Sequence, residues 1–280
     1  MNIFYTKAEL KAYLYKQKKT DKQIGFVPTM GALHKGHLSL LKESQKENDI
    51  SVVSVFINPT QFDKKEDLIK YPKTLDKDLA FLRAENCDIV FIPSVKEIYE
   101  NNITSRSFEF DGLEHEMEGK FRDGHFNGVA TVISLFFEII EPNNAYFGQK
   151  DFQQLQIVRK LVEKYRLSTK IKGCPIFRED DGLAMSSRNN RLSIGQRKVA
   201  STIFKTLKEV KKKYDSEDEK SILKWVENEF EKQPLLKLEY FMIADEMTLK
   251  TITEKDEKTK YRALIAVFAG NVRLIDNIQL

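Results

Sequence analysis

The chain has 280 residues, 41% hydrophobic and 31% charged, a composition that suits a folded globular protein and excludes a disordered one. Its 46 basic residues against 42 acidic ones leave a net charge of +4. That excess is small and well mixed, with Lys211-Lys212-Lys213 answered at once by Asp215, Glu217, Asp218 and Glu219, so a nucleic-acid partner is not expected.

From the N-terminus, Met1 to Lys7 lacks the basic-then-apolar pattern of a signal peptide. Thr6 and Glu9 form a capping-box pair, and Leu10, Tyr13 and Leu14 then recur at helical spacing. Ile24 to Val27 reads as a strand, residues 36–48 as a helix, and the β-branched run Ile50 to Ile57 as a strand buried on both faces. A helix (Leu75 to Glu85), a strand (Asp88 to Ile92), a helix (126–140), a strand (Ala145 to Phe147), a helix (151–166) and a strand (Lys170 to Cys174) follow. The longest apolar run, Val129 to Ile140, is interrupted by Thr131, Ser134 and Glu138 and falls short of the ~20 residues of a membrane span. Cys87 and Cys174 stand too far apart for a paired metal site and read as small buried hydrophobes of a reduced, cytoplasmic protein.

Strands alternating with helices predict an α/β fold: a parallel sheet with helices on both faces. Beyond residue 177 the pattern changes. Arg178-Glu179-Asp180-Asp181-Gly182 is polar and aperiodic, a candidate hinge. After it come a long helix (193–213), a second helix (218–231) and strands at Leu238 to Ile243 and Arg262 to Phe268, a smaller α+β domain over 178–280 after a first domain over 1–177.

Parallel sheets bind ligands at the carboxyl ends of their strands, and the chemistry-bearing motifs fall there. Pro28-Thr29-Met30-Gly31-Ala32-Leu33-His34-Lys35-Gly36-His37 leaves a strand, turns at glycine and enters a helix. Such a turn presents free N–H groups and a positive dipole end to phosphate, and two histidines add donors that can bear charge as pyrophosphate leaves. Zinc is disfavoured because a third ligand at suitable spacing is absent. Asn58-Pro59-Thr60-Gln61 adds neutral groups able to grip hydroxyl and carboxylate oxygens, though Asn-Pro is also a common turn former. Tyr146-Phe147-Gly148-Gln149-Lys150-Asp151 leads into a helix bearing Gln154, with Lys150 placed to meet an anion or simply exposed. Asp181-Gly182-Leu183-Ala184-Met185-Ser186-Ser187-Arg188-Asn189 offers hydroxyls and a guanidinium suited to phosphate oxygens, or a plain helix cap beside a surface arginine.

The His-x-Gly-His pattern resembles the signature of the nucleotidylyltransferase and class I synthetase superfamily, whose fold is Rossmann-like. All the motifs in order, with Arg122-Asp123-Gly124-His125-Phe126-Asn127-Gly128-Val129 and the closing Arg273-Leu274-Ile275-Asp276-Asn277, resemble the pantothenate synthetase family over about residues 24 to 277. That resemblance implies condensation of (R)-pantoate with β-alanine through a pantoyl-adenylate, with ATP as co-substrate, Mg²⁺, and a homodimer. It implies ATP binding by Met30, Gly31, Ala32, Leu33, His34, Lys35, Gly36 and His37, by Gly148, Gln149, Lys150 and Asp151, by backbone groups of Phe177, and by Met185, Ser186, Ser187 and Arg188. His37, His34 and Lys150 would be catalytic, and Asn58, Gln61 and Gln154 would serve pantoate and β-alanine. Gln149 stands where the family usually has glutamate, Phe177 replaces a smaller aliphatic residue, and Lys77 lies where an acid is common, so the metal ligands are unassigned. A nucleotidylyltransferase, a tRNA synthetase fragment and a non-enzymatic nucleotide sensor are the rivals.

Overall fold

Six short strands pair in one sheet in the computed structural model of the chain, which describes residues 1–63, 65–252 and 254–280. They are β1 (Asn2–Phe4), β2 (Ile24–Thr29), β3 (Ile50–Val55), β4 (Ile89–Phe91), β5 (Asn144–Gly148) and β6 (Lys170–Cys174). All pairings are parallel and the order is β1-β4-β3-β2-β5-β6. The chain therefore leaves β2 toward β3 and later returns to its other side with β5. That reversal places a crevice outside the carboxyl ends of β2 and β5, where open α/β sheets bind ligands.

Successive side chains of a strand point to opposite faces. Phe26 and Phe91 meet the edge of Phe136, on helix His125–Ile140, at 5.5 and 6.1 Å between ring centroids. Their neighbours Val27 and Val90 turn the other way, into a cluster with Leu38 and Leu41 of helix Lys35–Glu47 and Leu79 and Leu82 of helix Leu75–Ala84. Burial on both faces is why these strands read as unbroken apolar runs. Each fully buried side chain contributes roughly 1.5–3 kcal/mol.

The chain divides into two compact units, one of residues 1–149 and 153–175, the other of 150–152 and 176–280. In the second, β7 (Lys237–Asp245), β8 (Tyr261–Ala269) and β9 (Val272–Gln279) form an antiparallel sheet with β8 central. Ile203, Leu207 and Val210, on helix Thr202–Lys213, and Ile222, Val226 and Phe230, on helix Glu219–Glu231, recur at helical spacing and share its core with Ile243, Ile265, Val267 and Leu274.

The elements expected from sequence occur within two residues of their expected ends, apart from the helix expected over 193–213; β1, β9 and the short helices Lys65–Ile69, Val95–Tyr99 and Glu118–Phe121 are additional to the expected set. The helix expected over 193–213 is two, Ile194–Ala200 and Thr202–Lys213, because the N–H of Ser201 donates to Val199 and interrupts the ladder. Strand β9 is absent from the sequence reading because the buried pair Asp276 and Asn277 breaks its apolar alternation. Strand β1 is only three residues long, too short to show a period. The polar run Arg178 to Gly182 is an ordered hairpin: Arg178 bridges to Ala184, Glu179 N–H donates to Leu183, and Arg197 pairs with both Glu179 and Asp181. Arg178, Glu179 and Asp181 are thus paired, while Asp180 is exposed.

Candidate functional site

Three loops of the large unit carry the expected residues, each at the carboxyl end of a strand: Met30 to His37 after β2, Asn58 to Gln61 after β3, and Gly148 to Gln149 where β5 ends. The first turns through the left-handed region at Gly31 (φ 78°) and Ala32 (φ 50°). A Cβ on Gly31 would press on Asp78 and Val55 at 3.1 Å, so close packing as well as backbone conformation favours glycine there. The carboxylate of Asp78, 1% exposed, accepts the N–H groups of Ala32 (2.9 Å) and Leu33 (2.7 Å), and the Thr74 hydroxyl donates to it at 3.1 Å. Those two N–H groups are thereby committed to the protein. Nothing in the sequence marks Asp78, which looks like an ordinary acidic residue in a helix's first turn.

His34 caps helix Lys35–Glu47. Its Nδ1 accepts the Gly36 N–H at 3.2 Å, and the His37 Nδ1 accepts the His34 N–H at 3.3 Å. The rings lie 4.0 Å apart, inclined by 31°. With both Nδ1 atoms accepting, the neutral rings carry their protons on Nε2. A proton on either Nδ1 would set two donors against each other and break the cap. In that tautomer each ring carries an Nε2–H donor at a helix start.

Asn58 is 1% exposed and its amide is fully engaged. Its Nδ2 donates to Gln61 Oε1 and the Gly128 carbonyl, both at 3.1 Å, and its Oδ1 accepts from Tyr99 (2.6 Å) and Thr60 (3.1 Å). It holds Gln61, whose Nε2 lies 2.9 Å from the Met30 sulfur and so ties this turn to the β2 loop. The Gln61 carbonyl accepts from His125 Nδ1 at 2.7 Å, while Arg122 approaches His125 Nε2 at 3.1 Å. Burial first, and the Arg122 guanidinium second, push the His125 imidazole down to about 4. A Cβ on Gly128 would meet the Thr60 carbonyl oxygen at 2.2 Å, so the helix touches the turn backbone to backbone only because glycine is there. Arg122 to Gly128, a motif without a role assigned from sequence, supports the Asn58–Gln61 turn.

In the Phe-Gln-Gln motif the two glutamines differ. Gln153 is buried, accepting the Glu118 N–H and donating to the carbonyls of Leu113 and Glu116. Gln154 is half-buried and makes no side-chain hydrogen bond among the described residues. Gly148 and Gln149 are half-buried at the end of β5.

The small unit holds the rest. Lys150 has a side chain 15% exposed, with Nζ 3.6 Å from the Asp151 carboxylate, so it is not a freely solvated lysine. Asp151 closes a short 3-10 turn rather than starting the helix, which begins at Phe152. Phe177 is 38% exposed, and its carbonyl accepts the Met185 N–H at 2.9 Å, which leaves fewer backbone groups for a ligand than expected. Met185, Ser186 and Ser187 are half-buried; the Ser186 hydroxyl caps the 3-10 helix Ser187–Arg191 by accepting the Arg188 N–H, and Arg188 is exposed.

Among the described residues no group of three or more His, Cys, Asp or Glu side chains could hold a metal ion. Asp78, beside Lys77, already accepts three donors. No described helix is long and apolar enough to cross a membrane.

Residues 2–279 match the family model described as pantoate-beta-alanine ligase. Pantothenate synthetases of Flavobacterium psychrophilum and Christiangramia forsetii are 53% and 52% identical to the chain, over 100% of it and 100% and 99% of their own lengths. The crystal structure of pantothenate synthetase from Thermus thermophilus superposes with a TM-score of 0.92 at 37% identity, covering 100% of this chain and 99% of that one. A pantoate–β-alanine ligase from Francisella tularensis, complexed with β-γ ATP and β-alanine, superposes with a TM-score of 0.81 at 34% identity over 100% and 97%.

Proposed function

The chain belongs to the pantoate–β-alanine ligase family, and from that membership we propose that it condenses (R)-pantoate with β-alanine to pantothenate, using ATP and releasing AMP and pyrophosphate. The observation that carries the chemistry is the pair of imidazoles at a helix start, both with Nδ1 committed to backbone donors.

A carboxylate is a poor acyl donor because its leaving group would be oxide. The pantoate carboxylate oxygen attacks the α-phosphorus of ATP, the bond to the bridging oxygen breaks, and pyrophosphate departs with that electron pair. His34 and His37 donate Nε2–H groups to the phosphate oxygens where charge grows, and Lys150 adds a point charge. A preorganised donor of this kind contributes roughly 3–4 kcal/mol in the transition state. Met30 to Gly36, Gly148 to Asp151, Phe177 and Met185 to Arg188 hold the nucleotide. Gln61 and Gln154 grip pantoate, and Gln61 later β-alanine; Asn58 serves that subsite by fixing Gln61. The β-alanine amine then attacks the acyl carbon and AMP leaves. Holding amine and adenylate together can account for ~7–11 kcal/mol in ideal cases. Closure of the 178–280 domain would keep water from the adenylate.

Mg²⁺ enters as part of the nucleotide substrate, since the described residues offer no carboxylate cage and Mg²⁺ commonly rides on substrate phosphates. A homodimer in the cytoplasm completes the proposal. Incubation with ATP, Mg²⁺, pantoate and β-alanine, followed by mass analysis, should give pantothenate, AMP and pyrophosphate in equal amounts. ADP and orthophosphate, or a product that keeps its nucleotide, would contradict it.

A further inference from the structure

Lys150 sits in the sequence of the large unit, yet Lys150–Phe152 packs with Ile176–Leu280. The anchor lies in the closing Arg-Leu-Ile-Asp-Asn motif. Asn277, on β9 and 2% exposed, donates from Nδ2 to the Lys150 carbonyl at 3.0 Å. Its Oδ1 accepts from Arg262 Nη1 at 2.6 Å. A guanidinium can only donate, so this bond fixes which end of the amide faces Lys150.

Arg262, 4% exposed, is itself held, with Nε and Nη2 2.8 and 2.7 Å from the Glu246 carboxylate. Its guanidinium also lies over the Phe152 ring, 4.1 Å from the centroid, and so grips the same three-residue segment a second time. The backbone of Asn277 is fixed as well: its N–H donates to Asp276 Oδ1 at 2.7 Å, and its carbonyl accepts from Arg178 at 3.3 Å. Arg178 and Asp276 are joined by two bonds of 2.6 and 2.9 Å. Every part of Asn277 is therefore oriented, and its Nδ2–H is aimed at one carbonyl 127 residues away.

We propose that Asn277 is a positioning residue for Lys150: by holding the Lys150 carbonyl it sets where the lysine's ammonium is delivered, and Arg262 acts behind it by fixing both the amide and Phe152. This rests on the assignment of Lys150 to the phosphate of the adenylation step. Holding that carbonyl restrains the backbone on one side of the Lys150 Cα, and misplacing a catalytic group by about 1 Å can cost about a hundredfold in rate.

The test compares Asn277→Asp, Lys150→Ala and the double variant, measuring steady-state pyrophosphate release at saturating β-alanine, with KM for ATP and pantoate and thermal unfolding alongside. Aspartate keeps the shape and the Arg262 contact but cannot donate to a carbonyl. Asn277→Asp should fold, lose at least about tenfold in kcat, and keep both KM values within about threefold. The double variant should be no slower than Lys150→Ala alone, because a residue that acts through Lys150 has nothing left to position. Losses that multiply in the double variant, or Asn277→Asp within twofold of wild type beside an inactive Lys150→Ala, overturn the proposal and leave the Lys150 assignment standing. Lys150→Ala retaining more than a tenth of wild-type kcat removes the assignment and the proposal together. If Asn277→Asp does not fold, Phe152→Leu takes its place: it removes the ring beneath Arg262, a loss of at least about threefold in kcat is expected, and unchanged kcat overturns the proposal.

Discussion

The large unit fixes its functional loops with side chains that reach from distant elements to the backbone: Asp78 to Ala32 and Leu33, Asn58 to Gly128, His125 to Gln61. The small unit relies on guanidinium–carboxylate pairs, Arg178 with Asp276, Arg197 with Glu179 and Asp181, and Arg262 with Glu246. The first arrangement suits the phosphate-binding role proposed for the β2 loop, because each contact satisfies a backbone donor or acceptor without adding a mobile charge. The second suits a segment of antiparallel sheet and hairpin that has to hold a short piece of chain from elsewhere. Loss of one partner therefore acts differently in the two. In the large unit it frees a loop; in the small unit it strands a charge.

The largest expected effect is on activity in the large unit. Asp78→Ala leaves the N–H groups of Ala32 and buried Leu33 without their acceptor, and hydrogen bonds to a charged group are worth about 1.5–3 kcal/mol each. A fall of at least about a hundredfold in kcat/KM for ATP is expected by steady-state kinetics, with the far-ultraviolet circular dichroism unchanged. A variant within threefold of wild type would show that the loop holds its shape unaided.

Next comes stability in the small unit. Burial pushes the Asp276 carboxyl up and the Arg178 guanidinium pulls it back, a sign of how much desolvation that pair carries. Asp276→Ala strands Arg178 and should cost about 3–5 kcal/mol in urea unfolding. Asn58→Ala, which leaves neutral partners behind in the large unit, should cost about 1–3 kcal/mol. Equal losses would erase the contrast between the units.

His125 sharpens the comparison through pH. The unfolded ring takes its proton near 6.5 and the folded one near 4, so the folded state binds fewer protons between those values. Its contribution to stability is fully present above about pH 6.5 and is lost as pH falls through about 4, at most about 3 kcal/mol in all. Between about pH 6.5 and 5 the wild type should lose about 2 kcal/mol more than His125→Asn. Parallel pH profiles would mean that the buried ring is not what titrates.

The smallest effect separates the two glutamines proposed to bind pantoate. Gln154→Ala should raise KM for pantoate and leave both ATP affinity and unfolding unchanged. Gln61→Ala should raise the same KM and also lower stability by about 1 kcal/mol, since its side chain is tied to Asn58 and Met30. Loss of ATP affinity with unchanged pantoate affinity would invert the two subsites.

Much of the fold and of the site is legible in the residues themselves. Ile50 to Val55 reads as a doubly buried strand because both its faces are covered, and Met30 to His37 reads as a phosphate loop because strand, glycine and helix succeed one another locally. What stays hidden is tertiary. Asp78 is 45 and 46 residues from the groups it holds and looks unremarkable in sequence; His125, 64 from Gln61, and Asn277, 127 from Lys150, fall in motifs that the resemblance picks out, but nothing local shows what they hold. Buried polar side chains also blur periodicity, which is why β9 escapes a pattern built on apolar alternation.

Radiolabelled pyrophosphate supplies the most direct test of the two-step chemistry. With ATP and pantoate present and β-alanine absent, reversible formation of the adenylate should carry label into ATP, and His37→Ala should depress that exchange by orders of magnitude. A nucleotidylyltransferase with another acceptor would show no dependence on pantoate, and a nucleotide sensor no exchange at all. Exchange that requires β-alanine, with no adenylate trapped in its absence, would contradict activation of the acid before use of the amine.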